Sequence, residues 1–109
     1  MTDSTLVESN TADGSPAGID ARAELLAVVA DPVRLGLLDR LAAEGTRCVC
    51  DLQTEPPIPG NLLSYHLRVL REAGLVTTAR RGRWVDYTLA GDALDRLASA
   101  LPGGGRYST

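Results

Sequence analysis

The sequence predicts a mainly α-helical chain with a small β-hairpin near its C-terminal end. Three observations carry that expectation. Apolar residues recur at helical spacing on both sides of an Asp31-Pro32 step, a proline-rich break separates a short segment from a strongly two-faced one, and two β-prone runs flank Arg80-Arg81-Gly82-Arg83. At 109 residues the chain has room for one domain, and no apolar run approaches the roughly 20 residues that span a bilayer.

Residues 1–17 are rich in Ser, Thr, Asp, Gly and Pro without periodicity, which predicts a disordered tail. The tail is polar and acidic, unlike a secretory signal or transit peptide, so a cytoplasmic protein is expected. The domain is placed at 18–102. Ile19, Ala23, Leu26 and Ala30 define a first helix, and Asp31-Pro32 supplies an N-cap and a first-turn proline for a second that runs to about Ala43. Its expected apolar face is Leu35, Leu38 and Leu41, with Val33 and Leu37 beside it, and Gly45 is its stop. A short third helix is expected from about Cys48 to Thr54.

Pro56-Pro57-Ile58-Pro59-Gly60 breaks the chain, and Asn61 to Ala73 reads as a fourth helix closed by Gly74. At 100° per residue, Leu63, Leu67 and Leu70 share one face, and Asn61, Ser64, Tyr65 and Arg68 the other. The first face should bury and the second should read DNA, as in a helix-turn-helix. Leu75–Thr78 and Trp84–Leu89 then form a hairpin with a basic tip, a wing. A last helix from Gly91 or Asp92 to Leu101 presents Leu94, Leu97, Ala98 and Leu101, and residues 103–109 are expected as a flexible tail. The order is that of a winged helix-turn-helix, α-α-α-α-β-β-α.

A net charge of −3 looks wrong for a nucleic-acid binder until the charges are placed. Residues 1–57 hold ten acids and four bases, whereas residues 58–90 hold Glu72 and Asp86 against Arg68, Arg71, Arg80, Arg81 and Arg83. The local excess lies where DNA contact is needed. Candidate DNA-binding residues are therefore Asn61, Ser64, Tyr65, Arg68 and Arg71 on the helix and Arg80, Arg81 and Arg83 on the wing. His66 sits about 130° from the centre of the polar face and about 50° from the apolar stripe, which favours a structural hydrogen bond over base contact. Trp84 and Tyr87 are most simply cross-strand packing residues. The chain offers no nucleophile, base and orienter set and no phosphate-cradling glycine loop, which argues against an enzyme.

Its two cysteines, Cys48 and Cys50, stand just before the reading helix. A spacing of two is too short for an ordinary disulfide framework, so they are expected to work as thiols. Soft thiolates select thiophilic ions. Residues i and i+2 of a helix point about 200° apart, so chelation is expected to unwind the third helix; Arg47 and the helix N-terminus are expected to favour the thiolates. Packing, or redox chemistry of the pair, remains an alternative for these cysteines.

Several motifs resemble the winged-helix metal-responsive repressors of the ArsR/SmtB family. Ala30-Asp31-Pro32-Val33-Arg34-Leu35 resembles the family's "ADPxRLxIL", Cys48-Val49-Cys50-Asp51-Leu52 its "CVCDL" thiol motif, and Ser64 to Val76 its recognition helix with the exit into the wing. The resemblance covers roughly residues 19–101. It implies a homodimer joined through the first and last helices, double-stranded operator DNA as partner, and Cys48 and Cys50 as metal ligands. The tail lacks the additional cysteines of cadmium and lead sensors, so arsenic(III) or antimony(III), held by two thiolates and an outside ligand, is the first choice of inducer. Mercury(II) is close behind, with cadmium, lead and copper(I) also thiophilic; Asp51 or the dimer partner could supply a third ligand. Two departures stand out. Pro59-Gly60 replaces the polar pair that often opens the recognition helix, and the last helix offers Asp92 and Asp95 but no histidine for the family's second type of metal site. A dithiol redox sensor, or a metal-binding or redox buffer without operator function, are the competing readings.

Overall fold

A computed structural model describes residues 18–104; the tail expected at 1–17 and residues 105–109 of the C-terminal one lie outside the described residues. The elements are α1 (Ile19–Val29), α2 (Pro32–Glu44), β1 (Arg47–Cys48), a single 3-10 turn (Val49–Asp51), α3 (Gly60–Glu72), β2 (Val76–Arg81), β3 (Trp84–Leu89) and α4 (Ala93–Ala100).

Local chemistry explains the helix boundaries. The Asp31 carboxylate accepts from the N–H groups of Val33 and Arg34 at 2.9 and 3.1 Å and caps α2, with Pro32 where no donor is required. Gly45, at φ +82°, ends α2, and its N–H returns to the Leu41 carbonyl. At the end of α3, Leu75 N–H donates to Leu70 and Gly74 N–H to Arg71, the paired bonds of a Schellman stop that needs the positive φ of Gly74. Leu63, Leu67 and Leu70 of α3 join Leu37, Leu38, Leu41, Leu52 and Leu75 in the core.

Three expectations are corrected. The segment at 48–54 is not a helix. Arg47 and Cys48 pair antiparallel with Tyr87 and Asp86, so the wing is a three-stranded sheet of order β1-β3-β2, followed by only one 3-10 turn. The free edge of β3 offers donors and acceptors that the short Arg47–Cys48 run satisfies, and Leu52 reaches the core fully buried. After the turn, the Arg40 guanidinium donates to the carbonyls of Asp51 (2.6 Å) and Gln53 (3.1 Å), which holds the chain without a helix. On α2, Leu35 is 51% exposed. The buried face is Leu37, Leu38 and Leu41, whose mean direction lies about 110° around the helix from Leu35. In the wing, β2 runs on to Arg81, which pairs with Trp84 across a two-residue Gly82-Arg83 turn; Arg80 and Arg81 are strand residues, not tip residues.

The terminal helices are less committed to this core. No residue of α1 is buried; Leu25, Val28 and Val29 pack partly against the core while Ile19 is 70% exposed. In α4, Ala93 and Ala100 are buried but Leu94 is 60% exposed. The Arg22 guanidinium donates to the carbonyls of Ala100 and Leu101, tying α1 to the end of α4.

Candidate thiol site and nucleic-acid interface

Cys48 closes β1 in extended conformation and its sulfur accepts the Cys50 backbone N–H at 3.3 Å, capping the 3-10 turn. The same turn swings Cys50 back, and its sulfhydryl donates to the Cys48 sulfur at 2.6 Å. Both cysteines are free; Cys48 is buried and Cys50 exposed. The sulfurs thus converge, and the expectation that they point apart on a helix fails with the helix itself. The expected activation is corrected for Cys50. The hydrogen bond to Cys48 first, then burial and the neighbouring charge of Asp51, push the Cys50 thiol up to about 11. Arg47 does not assist, because its guanidinium is engaged by Glu44 at 3.1 Å. Among the described residues no group of three or more His, Cys, Asp and Glu side chains could hold a metal ion, so Asp51 does not complete a three-ligand set within the chain.

Asn61, Ser64, Tyr65 and Arg68 are exposed on the side of α3 away from its buried leucines, and Arg71 is exposed beside that stripe. The Arg68 guanidinium lies 5.7 Å over the Tyr65 ring. His66 is buried, with Nδ1 3.0 Å from Arg34 Nη1 and 3.9 Å from Asp31 Oδ2. Arg34 also donates to the Val28 carbonyl at 2.6 Å, so His66 helps lock α3 to α2 and the end of α1, the structural role its position on the helix suggested. Since an arginine only donates, Nδ1 is the acceptor in its contact with Arg34.

The wing separates its arginines. Strand residues alternate between faces. Thr78 and Arg80 of β2, with Val85 and Tyr87 of β3, turn toward α3 and line a hollow of about 300 Å³ that Arg71 completes. Two guanidiniums, a threonine and a tyrosine around one opening suit an anionic oxygen. Arg81 belongs to the other face, where it forms a two-pronged ion pair with Asp86, Nε–Oδ2 at 2.5 Å and Nη2–Oδ1 at 2.9 Å. That pair holds the Asp86 carboxyl below its ordinary range. Arg83 sits in the turn, its guanidinium 5.4 Å over the Trp84 ring. Thr78, Tyr87 and Asp86 were not among the expected site residues; strand alternation, carried through to Arg81, is the signal that finds them.

Known proteins agree with this layout. A family described as a helix-turn-helix domain matches residues 29–79. The chain is 44% identical over 72 residues to the HTH-type transcriptional repressor SmtB of Mycobacterium tuberculosis, covering 66% of this chain and 53% of that protein. It is 37% identical over 71 residues to an arsenical resistance operon repressor of Bacillus subtilis, covering 65% of this chain and 68% of the relative. The match thus spans about half of the first and two thirds of the second. Among solved structures, a homodimeric winged helix-turn-helix DNA-binding domain from Mycobacterium bovis, described as a possible ArsR-family regulator, superposes with a TM-score of 0.65 at 31% identity, over 83% of this chain and 82% of that one. With its capped α2, amphipathic α3, three-stranded wing and these relatives, the chain belongs to the ArsR/SmtB family of winged helix-turn-helix transcriptional regulators.

Proposed function

We propose that this chain is a homodimeric operator-binding repressor that releases DNA when a thiophilic ion, arsenite or antimonite first, is held by Cys48 and Cys50. The observation that carries this reading is the convergence of two free sulfurs, one of them open to solvent, where a strand of the wing sheet passes into a 3-10 turn. The donor set fits such an ion: two soft ligands point at one place, and the remaining position is open to an outside ligand. Cys48 and Cys50 surrender their protons, which leave with two hydroxyls of arsenite as water, so no net proton is released and the apparent affinity should change little with pH around neutrality. Mercury, cadmium or lead remain alternative inducers of the same site.

For DNA, Asn61, Ser64, Tyr65 and Arg68 supply the reading face, and Arg83 the turn of the wing. The hollow between Arg71 and Arg80 seats a backbone phosphate, a contact that positions the helix without reading sequence. Arg81, neutralised by Asp86 on the opposite face, is left out of this set. The exposed Ile19, Leu94 and Leu101 on the terminal helices are what a symmetric dimer would cover, and the solved relative is homodimeric. Operator binding places the work in the cytoplasm. A differential affinity of about 3–4 kcal/mol between the two conformations moves operator occupancy a few hundredfold, within reach of thiolate ligation.

The convergent sulfurs also favour a second reading, a dithiol redox sensor. One experiment separates these. Fluorescence anisotropy on the promoter of its own gene, under reducing conditions, is titrated with arsenite, antimonite, mercuric, cadmium and lead ions. Release by arsenite or antimonite, lost in Cys48→Ser/Cys50→Ser with operator binding retained, is the expected result. Tight binding untouched by every ion sinks the metal(loid) reading and leaves redox control. Absence of salt-dependent operator binding marks a metal-binding or redox buffer.

A further inference from the structure

The thiol site and the wing share one sheet, and the register determines what lies between them. Cys48 stands directly opposite Asp86 in the β1–β3 ladder. Cross-strand partners project from the same face with Cβ atoms roughly 5 Å apart. Asp86 stands opposite Ala79 of β2, and Arg81, two residues further along that strand, reaches back to hold its carboxylate with both prongs. One face therefore carries a row, Cys48 then Asp86 then Arg81, crossing all three strands. It starts at the thiol pair and ends at the residue that opens the wing turn.

Asp86 is half-buried, and Arg81 compensates its charge with a two-pronged bond. Ligation changes the geometry of this row. In the ion-free protein the Cys50 sulfhydryl donates to the Cys48 sulfur. Ligation of both sulfurs by one ion removes that proton and the bond it makes, so the sulfurs take up new positions around the ion. Cys48 is fixed in a ladder, so its shift is felt first by Asp86.

We propose that Asp86 and Arg81 are the positioning pair through which occupancy of the thiol site reaches the wing. Rearrangement of the sulfurs around the ion moves Cys48 against Asp86, its ladder partner, and the ion pair with Arg81 is redrawn. The wing then leaves the position in which Arg80 and Arg83 meet DNA. This rests on the reading of Cys48 and Cys50 as the inducer site.

The test uses the full chain with arsenite, and mercuric ion in parallel, under reducing conditions. Uptake per chain and operator affinity with and without ion are measured for wild type, Asp86→Asn, Arg81→Gln, the double variant and Arg81→Lys. Each single variant should bind ion-free operator within about twofold of wild type and take up the ion normally, while the ratio of affinities without and with ion falls about tenfold. The double variant should lose no more than either single one, and Arg81→Lys should recover part of the ratio, having the charge without the fork. Hydrogen exchange at residues 79–86 should change on ion uptake in wild type and not in Asp86→Asn. An unchanged ratio in both single variants overturns the proposal, as do additive losses accompanied by weaker ion-free operator binding, which mark a merely structural pair. A wild-type chain that takes up neither ion removes the inducer reading and the relay together; wild-type release that persists in the variants removes the relay alone.

Discussion

The two faces of the β2–β3 hairpin are built from alternate residues of the same strands, yet they serve different sites. Val76, Thr78 and Arg80, with Val85, Tyr87 and Leu89, run from the core out to the hollow shared with Arg71. On the other side, Thr88 bonds Thr46 through their hydroxyls at 2.8 Å, and Asp86 holds Arg81 opposite Cys48. Arg80 and Arg81 are neighbours in sequence and lie on opposite sides of the sheet. A run of like charges on a strand is therefore two half-runs with different partners.

The largest effect is expected where both faces share a foundation. Leu75 is fully buried at the base of β2, and its carbonyl accepts the Ala90 N–H at 2.9 Å just past the end of β3. Leu75→Ala should cost about 3 kcal/mol in denaturant unfolding and weaken DNA and ion binding together. Loss of one function with the other intact would show that the faces fold independently.

The thiol face is next. Cys50 is held near 11 chiefly by its bond to Cys48, so Cys48→Ala should return it toward the ordinary 9.0. Because the folded value is raised, the protonated thiol contributes stability that is present below the ordinary value and is lost as pH rises through about 11. Thiolate absorbance against pH reads the shift, and alkylation of Cys50 near pH 9 should be faster in the variant than in wild type. Equal rates would mean that the sulfurs do not share a proton in solution.

These two faces also mark what the sequence could and could not convey. The Asp31-Pro32 cap, the Gly45 and Gly74 stops and the Leu63, Leu67, Leu70 stripe are local signals, and the helices they bound lie where the sequence places them. The thiol segment depends on a partner some 40 residues away. Arg47 and Cys48 become a strand because β3 has an open edge, and nothing within residues 47–54 announces that edge. Convergence of the sulfurs follows from that pairing, so it was hidden too. At Leu35 an i, i+3 series is ambiguous about which side of the stripe faces inward. The separation of Arg80 from Arg81 was readable in principle. Ending the first strand at Thr78 instead of Arg81 makes a turn of two strand residues.

A smaller effect tests that separation. Arg80→Ala should weaken operator binding roughly tenfold and reduce the slope of log affinity against log salt by about one, as loss of one phosphate contact requires. Arg71→Ala should act alike, and the pair should lose less than the sum if both arginines grip one phosphate. Arg81→Ala should leave the slope where it is. Equal slope changes for Arg80 and Arg81 would place both on DNA and dissolve the distinction between the faces.

The smallest effect belongs to the ion pair itself in ion-free protein. Asp86 is held below its ordinary range by Arg81, so its contribution to stability is present above the unfolded-state value near 4 and is lost as pH falls through the lower folded value. Arg81 is largely exposed, and solvent screens the pair, so the contribution is small. Asp86→Asn should accordingly lower the urea midpoint slightly and uniformly at neutral pH, and the gap to wild type should close on acidification below about pH 4. Asp31, also held low, chiefly by the backbone N–H of Arg34, stays intact in this variant and keeps the remaining acid sensitivity in both proteins. A gap that persists undiminished in acid would mean that Asp86 acts through shape and backbone pairing. The thiol face would then be joined to the wing by the ladder alone, with no part for charge.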